Sequence, residues 1–300
     1  MKPLPNSASG LKARLLCCTA MSLFAAPALA DTVTTVGTIA NWKDNAGNNT
    51  ATPGGSLLSD DGTTVAVSLA GSRTILDWKS SDPLNIASGK ALSFQFLGRS
   101  DIVLNRITAG SATISGTLTG TVAGTPGGNI WIAARDGILF GDGAVVSTGG
   151  LLATTSPMTT TDANFLAGTE AVSGANHIFT FGDAVNAVSI GDVHITVNGG
   201  LLAFVAPVVT SAANTAGNGV DGTGSVLYGA ANAFKITLAP DSATNWDLVS
   251  FEVPAGKGSS AAGSIIGLAG QTNITGSVYL AAVNSTVPTR IISVSGPIAT

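Results

Sequence analysis

The chain has 300 residues, with 13 Lys+Arg against 17 Asp+Glu, a net charge of −4 and a charged fraction of only 10%. Glu and Gln occur twice each (Glu170, Glu252, Gln95, Gln271), so the polar residues that favour helices are nearly missing and a helical bundle is excluded. An apolar fraction of 45% with so little charge excludes a disordered acidic or basic tail, and the 38 glycines stand well above the usual ~7%.

Residues 1–30 read as a signal peptide. Lys2, Lys12 and Arg14 precede the apolar run Leu15–Ala26, and Ala28-Leu29-Ala30 gives a small-residue cleavage site before Asp31. The run is too short for a bilayer, which takes about 20 apolar residues. Cys17 and Cys18 lie inside it, without the small residue before Cys17 that a lipoprotein reading would need. Cleavage after Ala30 leaves 10 basic against 17 acidic residues, a charge of −7, and no cysteine. An exported chain without disulfides must gain its stability from repetitive packing. The mild acidity gives no footprint for nucleic acid and no polybasic patch for a membrane surface.

Residues 31–70 are expected to form an amino-terminal cap segment. Beyond them, period-two alternation recurs, as half-buried strands require. Leu92, Phe94 and Phe96 alternate, as do Ile114, Leu118 and Val122, Ile130 and Ile132, and Val193, Ile195 and Val197. Glycine-rich turns such as 125–129, 141–143, 198–200 and 222–224 separate these runs. No window outside the signal peptide keeps a helical stripe.

Two segments repeat. Val145–Ala153 (VVSTGGLLA) aligns with Ile195–Ala203 (ITVNGGLLA), and Gly224–Asn232 (GSVLYGAAN) with Gly276–Asn284 (GSVYLAAVN). Offsets near 50 residues point to a solenoid or propeller, and the scarcity of two-residue hairpin turns favours the solenoid. The expected fold is all-β, a right-handed parallel β-helix with an amino-terminal cap. Each offset is expected to span two coils, giving about nine or ten coils and a rod on the order of 45 Å. Gly149-Gly150 and Gly199-Gly200 are expected at equivalent corners, with Gly150 at positive φ.

One series of motifs is more specific. Thr74-Ile-Leu-Asp-Trp-Lys-Ser80, Leu104-Asn-Arg-Ile-Thr108, Gly128-Asn-Ile-Trp-Ile132, Asp136-Gly-Ile-Leu-Phe-Gly141 and Gly149-Gly-Leu-Leu-Ala153 occur in this order. The series resembles the amino-terminal domain of filamentous haemagglutinin and related two-partner secretion exoproteins, and Gly199–Val209 is similar to that family's second Gly-Gly coil. The resemblance covers about residues 70–255. Where the family has Asn-Pro-Asn-Gly, this chain has Ala134-Arg135-Asp136-Gly137 and keeps only the glycine.

The resemblance implies 71–255 as a two-partner-secretion-like β-helix domain and 256–300 as further coils or the start of a longer passenger. It implies a secretion-recognition and fold-nucleating role in an exported adhesin- or haemagglutinin-like exoprotein that is secreted or surface-associated. The implied partner is a cognate outer-membrane β-barrel transporter with periplasmic recognition domains, and a downstream passenger would meet a host or surface ligand. Asn105, Arg106, Asp136 and Gly137 are the candidate recognition or corner residues. Asn105 either continues a stacked amide ladder or presents itself to the transporter, while Gly137 supplies a positive φ and Asp136 a side-chain turn bond.

An exported β-helix polysaccharide-active enzyme is the rival class, with a structural surface-layer protein beside it. The candidate acids would be Asp136 and Asp142, with Arg135 beside them. Corner aspartates are more often turn formers, His177 and His194 read as strand-face residues, and no nucleophile elbow, metal-ligand spacing or phosphate loop is present. The chain is read as a non-enzyme without cofactor or metal. Gly217-Asn-Gly-Val-Asp221 occurs once, whereas a Ca²⁺-binding nonapeptide array needs adjacent copies, so it reads as a turn. Trp78 and Trp131 read as core. Trp42 and Trp246 are too dispersed for a sugar platform, and the sequons at Asn48, Asn273 and Asn284 carry no weight here.

Overall fold

In the computed structural model the alternation becomes three stacked faces; the structure describes residues 50–300 apart from 53–54, 79–82, 242–244, 263–264 and 286–291. The signal-peptide reading, Trp42 and Asn48 therefore lie outside the described residues. The first coil runs along Thr64–Leu69, Arg73–Trp78 and Asn85–Ile86. The second repeats this with Ala91–Phe96, Ile102–Ile107 and Ala112–Ile114, each strand parallel to its counterpart one coil earlier. Thr117–Val122, Asn129–Ala134 and Ile138–Phe140 form the third, and Val145–Thr148, Gly150–Thr154 and Ala187–Ile190 the fourth.

From the fifth coil on, the first two faces run as one strand, in His194–Ala206, Gly219–Ala230 and Thr272–Ala282. The third face returns along Val208–Ser211, Ile266–Leu268 and Ile292–Val294. That face is a sheet of seven parallel strands, so the described residues make seven coils, and Ile298–Ala299 begins another. The fold is a parallel β-helix.

The coil count corrects the expected nine or ten, and the repeats explain why. Leu151 pairs directly with Leu202, and Gly224 with Gly276, so an offset near 50 is one coil, not two. The surplus residues leave the stack at the same corner of coils 4 and 6. They form a four-stranded antiparallel sheet in the order Val172–Ser173, Asn176–Phe181, Phe234–Asp241, Asn245–Glu252.

The coil-4 excursion also holds a short helix, Asp162–Ala167, which period-based reading missed because it has fewer than two turns. Its ends are nonetheless signalled, since the Thr161 side chain accepts from the Asn164 N–H and Gly168 closes it at φ 67°.

The Gly-Gly pairs do sit at one corner of neighbouring coils, where the Gly200 N–H donates to Gly149 O at 3.0 Å. The register is 49 residues before them (Val146 to Ile195) and 51 after (Leu152 to Ala203), because the later strand bulges between Asn198 and Leu201. Positive φ falls on Gly199 (84°), not on Gly150. Gly150 is required for space instead, since a Cβ there would lie 2.4 Å from Asn129 Oδ1.

The open end before coil 1 is covered by antiparallel strands. Thr50–Thr52 pairs with Arg73–Trp78, and Gly55–Asp60 with Thr64–Leu69. An antiparallel strand blunts the parallel edge that would otherwise template another chain. In coil 3 a two-residue hairpin leads to Thr125–Pro126, with Ala123 at φ 49° and Gly124 at φ 80°. Both central positions need positive φ, which alanine tolerates poorly. Ala123→Asn is expected to raise stability by about 1 kcal/mol, read as a small upward shift in melting temperature.

Two cores result. Inward residues such as Val67, Phe94, Leu118, Val146 and Ile195 fill the coil interior. On the second face the outward residues are buried too. Ile75, Leu104, Trp131, Leu152, Ala203 and Leu227 form one in-register ladder beneath the extra-helical sheet, meeting Phe165, Phe179, Phe181, Phe234 and Trp246. Burial on both sides is why Asn129–Ala134 is apolar almost throughout while Thr64–Leu69 alternates. Trp131 meets Phe179 edge-on at 4.8 Å between ring centroids.

Candidate functional site

The four candidate residues fall on two adjacent coils without converging on one cavity. Asn105 lies in the second-face strand of coil 2, pairs in register with Leu76 and Ile132, and is fully buried in the coil interior. The amide ladder is therefore not formed. Asn105 Oδ1 instead accepts from Trp78 Nε1 at 3.2 Å, and its Nδ2 donates to Trp131 O at 3.2 Å. The side chain ties three consecutive second-face strands together from within.

Arg106 points the other way. Its guanidinium grips Asp77 of coil 1 bidentately, at 2.5 and 2.8 Å, and Asp162 at the start of the short helix, at 2.6 and 3.0 Å. Hydrogen bonding to Asp77, more than that to Asp162, raises its pKa above the ordinary arginine value. The ladder position supplies Asp77 and the excursion supplies Asp162, so Arg106 joins two coils to the outer layer.

Asp136 and Gly137 form the corner after the coil-3 strand. Gly137 has φ 122°, and the nearest atom to a hypothetical Cβ is 3.6 Å away, so backbone conformation is what requires glycine there. Asp136 is exposed, and its carboxylate accepts from the Gly110 N–H at 2.7 Å, 26 residues earlier. The expected turn bond is thus a bond between coils. The Gly137 carbonyl accepts from the Ala112 N–H, and Asn186 Nδ2 donates to Arg135 O, which adds coil 4 to the same corner.

The corners between the third and first faces work similarly. Asp142 accepts from the Asp192 N–H at 2.9 Å, and the Asp192 carboxylate accepts from the Thr215 N–H and hydroxyl and from the Asn214 and Asn218 amides. Those donors hold Asp192 below the usual carboxylate range, Asn218 first among them. Asn218 belongs to the 217–221 segment, where a turn at Gly217 leads into the strand that starts at Gly219, both glycines having positive φ.

One cluster carried no motif in the sequence. Arg73 and Glu170 are both buried, with one Arg73 terminal nitrogen 2.5 Å from Glu170 Oε2 and 3.1 Å from Phe165 O. His177 Nδ1 contacts the other Glu170 oxygen. The guanidinium carbon sits 5.5, 5.4 and 5.6 Å from the ring centroids of Phe165, Phe179 and Trp246. The usable signal was composition, since Glu170 is one of only two glutamates and flanks the helix.

These features define the class: a parallel β-helix with an antiparallel cap and an extra-helical antiparallel sheet. No family model matches the chain, and no curated protein does. Among solved structures it is similar to the HMW1 secretion domain from Haemophilus influenzae, at 19% identity and a TM-score of 0.51. The match covers 77% of this chain and 57% of that one, a likeness of fold.

Proposed function

We propose that this chain is the secretion-recognition and fold-nucleating part of an exported exoprotein, delivered through a partner outer-membrane β-barrel transporter. The observation that carries the reading is the fold shared with a secretion domain, in a chain whose first 30 residues read as an export signal. The motif order between residues 70 and 255 supports it. A solenoid without disulfides can cross a pore extended and then add coil on coil outside. A non-catalytic role fits the corner aspartates, because Asp136 and Asp142 each accept a backbone N–H of a neighbouring turn.

Deleting the partner transporter should leave processed protein in the periplasm, and unchanged delivery to the surface would overturn the reading. Asp136 gives a residue-level test because it is exposed and makes one inter-coil bond. Asp136→Ala should cost about 1 kcal/mol, a melting shift of a few degrees. A larger fall in the secreted fraction than this shift accounts for is expected if the transporter reads this corner. Secretion falling only in step with melting temperature would remove Asp136 from the recognition site.

A further inference from the structure

In an ordinary solenoid each coil touches only its neighbours, so coils open one by one from the ends. This chain departs from that rule at the buried cluster. Arg73 belongs to coil 1 and Glu170 to the excursion of coil 4, 97 residues later. Trp246, whose ring lies over the Arg73 guanidinium, belongs to the excursion of coil 6 and donates its Nε1–H to Ser100 O of coil 2, 146 residues away. Asn245 beside it is fully buried at φ 103°, and its Nδ2 donates to Asn198 O of coil 5. His177 joins the two excursions, with Nδ1 on Glu170 and its ring edge-on to Trp246 at 5.1 Å.

We propose that Arg73, Glu170, His177 and Trp246 form a latch that couples coil 1 to the excursions of coils 4 and 6, so that coils 1–6 open as a single unit. The physical reason is the asymmetry of buried ion pairs. A docked Arg73–Glu170 pair is satisfied by Phe165 O, His177 and three aromatic faces, whereas lifting the coil-4 excursion leaves the Arg73 charge unpaired on an apolar surface and lifting the coil-6 excursion takes the Trp246 face from it. The coil-4 excursion brings Phe165, Phe179 and Phe181 over Trp131, and the cover of the outward ladder is completed only when Phe234 and Trp246 of the coil-6 excursion are placed. The latch sets a point in the chain before which the coils stay loose and after which they lock. For an exported chain, that point falls once residue 246 has emerged.

Hydrogen exchange on the purified full chain tests this without any transporter, so its outcome is independent of the export reading. Arg73→Met and Glu170→Met should each speed exchange of residues 162–181 and 245–252 by about 100-fold or more. The double variant, which removes both charges and keeps apolar bulk, should recover to within about 10-fold of the parent. In the parent, residues 102–107, 129–134 and 219–230 should share one opening rate. Single variants within about threefold of the parent, additive losses in the double variant, or coils 1–3 opening independently of coil 6 would each overturn the latch.

Discussion

Asn105→Ala should destabilise the domain by about 3 kcal/mol. It strips the acceptor from Trp78 Nε1 and the donor from Trp131 O in a fully buried site. Unsatisfied buried polar groups cost about 1–3 kcal/mol each, and an emptied amide adds to that. For a chain of this size the melting temperature should fall by about 5 °C. The secreted fraction should fall with it, because in the folded chain this side chain has no surface to present. Thermal melting and secretion alongside the proposed transporter are the paired measurements. Lost export with an unchanged melting temperature would mean that Asn105 is read from the unfolded chain.

Gly128→Ala should be as damaging for a different reason. Gly128 has φ 72°, and a Cβ there would lie 2.2 Å from the ring of the buried Phe96. Its carbonyl also accepts from the Thr148 hydroxyl and the Gly150 N–H, both at 3.0 Å, so the corner has little freedom to move. Strain at positive φ together with overpacking should cost about 3–5 kcal/mol. Adding Phe96→Leu should recover part of the loss by removing the ring but not the backbone strain. A melting temperature unchanged in Gly128→Ala would contradict the corner geometry.

The sequence shows the inward half of this fold better than the outward half. Phe94, Leu118 and Ile195 alternate with small polar residues because the first face is wet outside, and period-two reading finds them. Trp131, Leu104 and Leu152 face outward on strands buried on both sides, so alternation alone does not show that a second layer covers them. That layer is made from long excursions, which in a repeat search look like extra coils. The Gly224–Gly276 alignment matches the register of the ladder, yet offset alone cannot separate one long coil from two short ones. Among the candidate residues, glycine at 137 follows from turn chemistry. The inward direction of Asn105 follows only from the three-dimensional register. Arg73 with Glu170 is a contact between segments 97 residues apart, and no local pattern encodes it.

The fusion of two faces into single strands from coil 5 onward also sets where the chain tolerates insertions and deletions. In coils 1–3 several residues separate the first-face strand from the second, so an added residue can be absorbed there without disturbing the next face, whereas in coil 4 only Gly149 stands between them. Between Val220–Ala230 and Thr272–Ala282 the ladder runs through eleven consecutive pairs with no break in register. Gly276 passes so close to Gly224 that a Cβ would sit 1.7 Å from its carbonyl oxygen. A single deleted residue there would move one half of the ladder out of phase with the other and turn its inward side chains to the opposite face. Homologous chains should therefore vary in length at the early corners and at the excursion tips, and keep the Gly222–Ala230 and Ile274–Ala282 spans at constant length.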